Sequence, residues 1–488
     1  MRFVFFIHSA VSDWNHGNAH FVRGLMTALA RRGHTVDSWE PRGAWSVENL
    51  LADHGVGPIV DFARAFPEIA VHSYDGEGAG LEDEVAAAVA GADVVIVHEW
   101  NTPRVANTVA AVARRQGSVV LFHDTHHRPW SDPDAIARFD LAAFDGVLAF
   151  GDVLRDIYRE RFGVERAWTF HEAADVERFR PLNREKTQDV AWIGNWGDGE
   201  RTEELRAFWL DSARAMPELR FVAHGVRYPA EALAELADAG VEFRGWAPSL
   251  RVPEVFAASR VTLHVPRRAY VQALRGIPTI RVFEALACGI PLVSAPWLDA
   301  ERLFRPGDYA SVETPREMRE QLLRFACDDD ARLEQAARGL ETILARHTCG
   351  HRADELLSIV AALQSAGASA SPVRVSGDAH LADAERRAST DGVSVDAHPA
   401  SPAAVTSTNG VSAEAHPSDG VAASASSERM PVDDAHPTIT ADALASANAL
   451  ASAGASSSTE TVGVSASPAT TAASASTEST SAAEAACA

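Results

Sequence analysis

The stretch DVAWIGNWGDG, residues 189–199, decides the fold. Its run VAWI reads as a short buried strand, and the glycines behind it turn the chain into an amphipathic helix expected over about 201–215. A strand, a glycine-rich loop and a helix in succession are how a parallel α/β sheet begins. Here the pattern begins a second time. RFVFFI (residues 2–7) is an equally apolar run, followed by a polar loop at 12–18 and a helix expected over 19–32 with Phe21, Leu25 and Leu29 on one stripe. Gly33 stands where a left-handed C-terminal residue belongs.

Outward from these two units, strands and helices alternate. TVDSWE (35–40), DVVIVHE (93–99), VVLFHD (119–124) and GVLAFG (146–151) continue the first series. RFVAHG (220–225), VEFRGW (241–246), VTLHVP (261–266) and PLVSAP (291–296) continue the second. The expected fold class is α/β, with two facing Rossmann-like domains at 1–171 and 188–363 joined by a crossover at 172–187. Ligands of open parallel sheets bind beyond the carboxyl ends of the strands, so chemistry is sought there.

From residue 364 to 488 the chain is Ala, Ser, Thr, Gly and Pro with hardly an aromatic residue. Such a segment buries too little apolar surface to offset the entropy of ordering, and a disordered tail is expected. Its recurring GDAH, GVSVDAHP, GVSAEAHP and DDAHP words carry no hydrophobic face that stacking repeats need. The whole chain of 488 residues has a formal net charge of −23 and a single lysine, Lys186. That balance argues against nucleic acid and anionic membrane as main partners. No apolar run is long enough to span a bilayer. The scattered cysteines Cys288, Cys327, Cys349 and Cys487 show no metal-ligand spacing, and a cytoplasmic protein is expected.

Chemistry concentrates first in TIRVFEALACGIPLVSAPW, residues 279–297, where Glu284 stands among apolar neighbours. A carboxylate there is costly unless partnered. Physics alone leaves two readings open, a solvent-facing Glu of an amphipathic helix or a ligand contact. The stretch resembles the donor-binding segment F-E-A-x-A-C-G-x-P of retaining GT-B glycosyltransferases, and DVERFRP (175–181) is similar to that family's crossover motif, with Ala174 in place of the usual Gly. NHGNAHFVRGL, EPRGAWS and VAWIGNW further resemble the spore-maturation CgeB-like glycosyltransferases, over roughly residues 1–360. The resemblance implies a nucleotide diphosphate sugar as donor, an acceptor that stays open, and neither cofactor nor metal. It implies that Glu284 accepts hydrogen bonds from the ribose, that Gly289 and Pro291 form the turn behind it, and that Gly245 and Trp246 seat the base. Many members carry another Glu eight residues before the ribose-binding one; here that position is Gly276, so the sugar contact is expected from backbone amides of 275–277.

Other candidates follow from position. Gly194 and Asn195 open a loop whose amides can hold an anion, Arg201 can add a charge-assisted hydrogen bond, and Arg281, Arg267 and Arg268 are placed to face a cleft. In the first domain His123, Asp124, His126 and His127 follow a strand directly and are expected to act as base or to position the acceptor; the alternatives are helix capping and a metal cluster. His16, Gly17 and Asn18 form the opposite wall. A non-catalytic donor-binding module and a nucleotide-sugar epimerase are the competing functions, while the missing G-x-G-x-x-G after the first strand disfavours a dehydrogenase.

Overall fold

The computed structural model describes residues 1–197 and 199–370, with side chains through residue 366. Most of the expected tail therefore lies outside the described residues. The strands are β1 (Arg2–Phe6), β2 (Thr35–Pro41), β3 (Ala70–Tyr74), β4 (Val94–His98), β5 (Val119–Asp124), β6 (Gly146–Ala149), β7 (Ala167–Thr169), β8 (Gln188–Ile193), β9 (Phe221–His224), β10 (Glu242–Phe243), β11 (Ser259–His264), β12 (Leu292–Ser294) and β13 (Ala310–Ser311). They form two all-parallel sheets, ordered β3-β2-β1-β4-β5-β6-β7 and β10-β9-β8-β11-β12-β13. Both start in the middle, run to one edge and then cross to the other side. This is the doubly wound order, and its crevice opens where the direction reverses, between β1 and β4 and between β8 and β11.

The central strands are buried on both faces, as parallel strands sandwiched by helices must be. Their outward-facing side chains meet stripes such as Phe21, Leu25 and Leu29 of the helix Ala19–Arg31. One apolar cluster runs from that helix through Phe170 and Phe179 to Val282, Phe283 and Leu286 of the helix Ile280–Ala287, so the two domains share core on that side.

The last helix differs from the expected layout. It spans Cys349–Ala370, past the anticipated boundary at 363, and packs against the helix Ala19–Arg31 of the first domain. Its Leu356, Ile359, Val360 and Leu363 join the cluster containing Phe21 and Leu25. Gly24 permits the approach: a Cβ there would stand 2.5 Å from the Cys349 sulfur. No described helix is long and apolar enough to cross a membrane.

Candidate active site

Loops at the carboxyl ends of the two sheets face each other. From the first domain come the segment 7–18 after β1 and the segment 125–131 after β5. From the second come the loop 194–201 after β8, the segment 265–268 after β11 and the start of the helix Ile280–Ala287.

On the first-domain side the histidines separate into two groups. His123 is buried among Phe21, His98 and Phe170, its Nε2 has no partner, and burial pushes it down to about 3. Asp124 points into the domain: it accepts from the Tyr158 hydroxyl at 2.7 Å and from the His126 amide at 2.8 Å. Burial raises its carboxyl to about 7. Both side chains thus lie inside the first domain, and Asp124 bonds backbone at the start of the following turn. His126 and His127 stand at the cleft. Their rings are 4.1 Å apart, and His126 Nδ1 and His127 Nε2 have no hydrogen-bond partner. His127 Nδ1 meets Ser131 Oγ at 2.8 Å, and that hydroxyl donates to the His127 carbonyl at 3.3 Å. Across the cleft, Glu200 Oε1 of the second domain lies 3.6 Å from His127 Nε2.

Glu200 joins the two sides. Burial pushes its carboxyl up, but His127 and Arg267 outweigh that and hold it down at about 2. Arg267 bonds Glu200 and reaches Asn195 Oδ1 at 3.5 Å. Arg268, by contrast, is spent on Glu203 and Glu204. Arg201 lies under its loop: it donates to the Val265 carbonyl at 2.9 Å, to the Asn195 carbonyl at 3.1 Å and to Asn195 Oδ1 at 2.9 Å. Gly197 is needed above it, since a Cβ there would meet the Arg201 side chain at 2.4 Å. Arg201 thus shapes the anion loop, with burial lowering it to about 10. The Gly194 amide and carbonyl are taken by the His224 carbonyl and the Tyr228 hydroxyl.

Glu284 is not on an open wall. It is 2 % exposed and held by His20 from the first domain at 2.8 Å and by Arg281. His20 Nε2 accepts the Asp175 amide at 2.9 Å, which puts the ring hydrogen on Nδ1 and aims it at Glu284. A second carboxyl, Glu172, is buried nearby with Oε1 unpartnered; burial first and then the Glu284 charge push it well up. Neither His20 nor Glu172 carries a local sequence signal, because each acquires its partner only when the domains meet.

Two expectations are corrected. Trp246 is stacked on His54 of the first domain, ring centroids 4.5 Å apart, so the expected base seat is covered in this arrangement; Gly245 turns beneath it at φ 69° with its carbonyl accepting from Gly225. The Gly276 amide donates to the Leu298 carbonyl at 2.9 Å and is not free for a sugar. Position 276 also has φ 100°, and a Cβ there would stand 2.8 Å from Glu301 Cγ, so no Glu fits. Glu301 instead accepts from the Asp152 amide at 2.9 Å and pairs with His171 at 2.7 Å. The segment 16–18 packs inward against its neighbours. Gly17 lies against Ile280, Asn18 bonds Thr125, and His16 packs edge-on to His8 at 5.2 Å, its imidazole pushed well down first by burial. Among the described residues no three His, Cys, Asp or Glu side chains are arranged to hold an ion.

Residues 201–358 match a sequence family described as glycosyl transferase-like. No curated protein matches the chain significantly. Among solved structures, a glycosyltransferase from Rickettsia africae is similar over 74 % of this chain and 98 % of its own, at 11 % identity and a TM-score of 0.52. Anabaena HepE in complex with UDP and glucose is similar over 74 % and 99 %, at 14 % identity and 0.53. An alpha-glucosyltransferase in complex with UDP and a 13-mer DNA containing an HMU base is similar over 74 % and 99 %, at 12 % identity and 0.54. The fold is that of the GT-B glycosyltransferases, and the second domain carries the match to the glycosyl transferase-like family.

Proposed function

We propose that this GT-B chain transfers a sugar from a nucleoside diphosphate sugar to an acceptor hydroxyl, without a bound metal, and that it stands near the CgeB-like group. The observation that carries the reading is the His127–Glu200–Arg267 line, which joins the carboxyl end of β5 in the first sheet to those of β8 and β11 in the second. The solved glycosyltransferases of this fold that hold UDP support the donor class.

Arg267 and Arg281 are only partly exposed and now face the carboxylates Glu200 and Glu284. A donor diphosphate would share them, together with amides of the loop 194–201, and Glu284 would turn an oxygen to the ribose. Charge then builds on the departing diphosphate as the anomeric C–O bond breaks, and fixed cations in a dry cleft stabilise it. The acceptor oxygen forms the new bond and gives its proton to His127 Nε2. Glu200, 3.6 Å away, stabilises the imidazolium formed. Closure of the domains limits loss of donor to water.

Thermal unfolding measured with UDP, GDP, ADP and TDP tests the donor, since a ligand of the folded state raises the midpoint. At least one is expected to do so, and EDTA is expected to leave turnover unchanged. Glu284→Ala should weaken that binding more than His20→Ala does. Equal effects would make Glu284 a domain latch only, and no response to any nucleotide would remove the reading.

A further inference from the structure

We propose that Trp45 and Trp100 form a stacking platform for a saccharide acceptor on the first-domain side of the cleft, an inference resting on the glycosyl-transfer reading. Trp45 opens the helix Trp45–His54 behind β2, and Trp100 follows β4, so both stand at carboxyl ends of strands. Each is 37 % exposed, although a bare indole in water forfeits the burial of a large apolar surface.

Both rings are fixed from one side. The His8 ring lies 4.8 Å from Trp45 at a tilt of 31°, and the Arg128 guanidinium sits 4.7 Å from the Trp100 centroid. Arg128 is itself tied to the Glu99 carboxylate and, at 2.7 Å, to the Glu99 carbonyl. An indole held this way binds with little further loss of freedom. Each platform also connects to the candidate site. His8 packs 5.2 Å from His16, and Trp100 meets the edge of His126 at 5.1 Å, with His127 4.1 Å beyond. Trp100 therefore adjoins the imidazole pair that holds the proposed base His127, and Trp45 reaches the segment 7–18 through His8.

The surroundings select the occupant. The electron-rich face of an indole attracts the weakly positive C–H face of a pyranose, while imidazole and guanidinium groups at its margin suit hydroxyls. A polyphosphate chain or an anionic bilayer would meet a protein of net charge −23. A neutral sugar meets no such field.

The test uses the full chain and three neutral probes, cellohexaose, chitohexaose and maltohexaose, titrated while tryptophan fluorescence and saturation-transfer NMR are followed. At least one should bind, and Trp45→Ala and Trp100→Ala should each weaken it about tenfold, with Trp→Phe recovering part of the loss. Nucleoside diphosphate binding should be unaltered in both variants, which also reports that they fold. If nucleotides bind but no hexasaccharide does, or if the alanine variants bind sugar as well as wild type, the platform is overturned and the transferase reading stands. If hexasaccharides bind through these indoles but no nucleotide does, the transferase reading fails instead. Binding of a single-stranded oligonucleotide or of phosphatidylglycerol vesicles that both alanine variants abolish would reassign the patch and overturn the proposal.

Discussion

Two neighbouring histidines and an aspartate at one strand end show how differently adjacent residues are used. Asp124 is completely buried with its two oxygens engaged, whereas His127 keeps Nε2 unpartnered opposite Glu200. Asp124→Asn should therefore retain turnover, while His127→Ala should lose about 10²–10⁴ in kcat, the usual contribution of a general base. Steady-state assays with the identified donor decide this, and equal losses in the two variants would undo the assignment. Asp124→Asn also has a pH signature. Burial raises the Asp124 carboxyl from 3.8 to about 7, so the native state favours its protonated form, and the stability this contributes is lost as pH rises through 7. Relative to wild type, the Asn variant should gain in unfolding midpoint between pH 4 and 7. The sequence brought HDTHHR to a strand end but could not divide it, because which side chain points inward depends on Tyr158 and Ser131, one 34 residues away and one in the next turn.

At the scale of elements, the long apolar runs were legible and the short edges were not. β1, β4, β5 and β8 announce themselves because strands covered on both faces must be continuously hydrophobic. β3 alternates exposed and half-buried residues at the sheet edge, and β10 and β13 have two residues each, too few to show a period. Gly276 was legible as a departure but not as a cause. Its φ of 100° and the Glu301 side chain 2.8 Å from a would-be Cβ make it a backbone requirement of the loop. Gly276→Ala should destabilise the fold by about 1–3 kcal/mol, the cost of one residue forced into a sparsely populated backbone region. Urea unfolding would measure it, and an unchanged midpoint would mean that the loop adapts freely. Gly199→Ala, also at positive φ but with open space around its Cβ, separates backbone strain from the clash.

For the whole molecule, burial of imidazoles sets the response to acid. His8 is pushed down to about 4, and His123, His126, His264 and His347 to about 3, in every case chiefly by burial. Unfolding returns each to its ordinary 6.5, so the stability gained by keeping them neutral is complete above pH 6.5 and is lost as pH falls towards the folded values. Asp124 at about 7 and Glu40 at about 6, both raised by burial, act in the opposite sense, because their protonation on acidification favours the folded state. Each group is worth about 1.4 kcal/mol per pH unit over its own window. The buried His16, His98 and His224, also pushed down chiefly by burial, add to the imidazole side, and Glu172, Asp299 and Glu355, pushed up by burial, add to the carboxyl side; between pH 6.5 and 5 the imidazoles outnumber the carboxyls and win. The unfolding midpoint should fall steadily over that interval, in scanning fluorimetry at constant ionic strength. His123→Phe, which fills a pocket already lined by Phe21 and Phe170 and removes an unpartnered nitrogen, should make the fall shallower. A midpoint that holds or rises down to pH 5 would show that water reaches these rings, and the closed cleft that keeps His126 dry would then have to be open in solution.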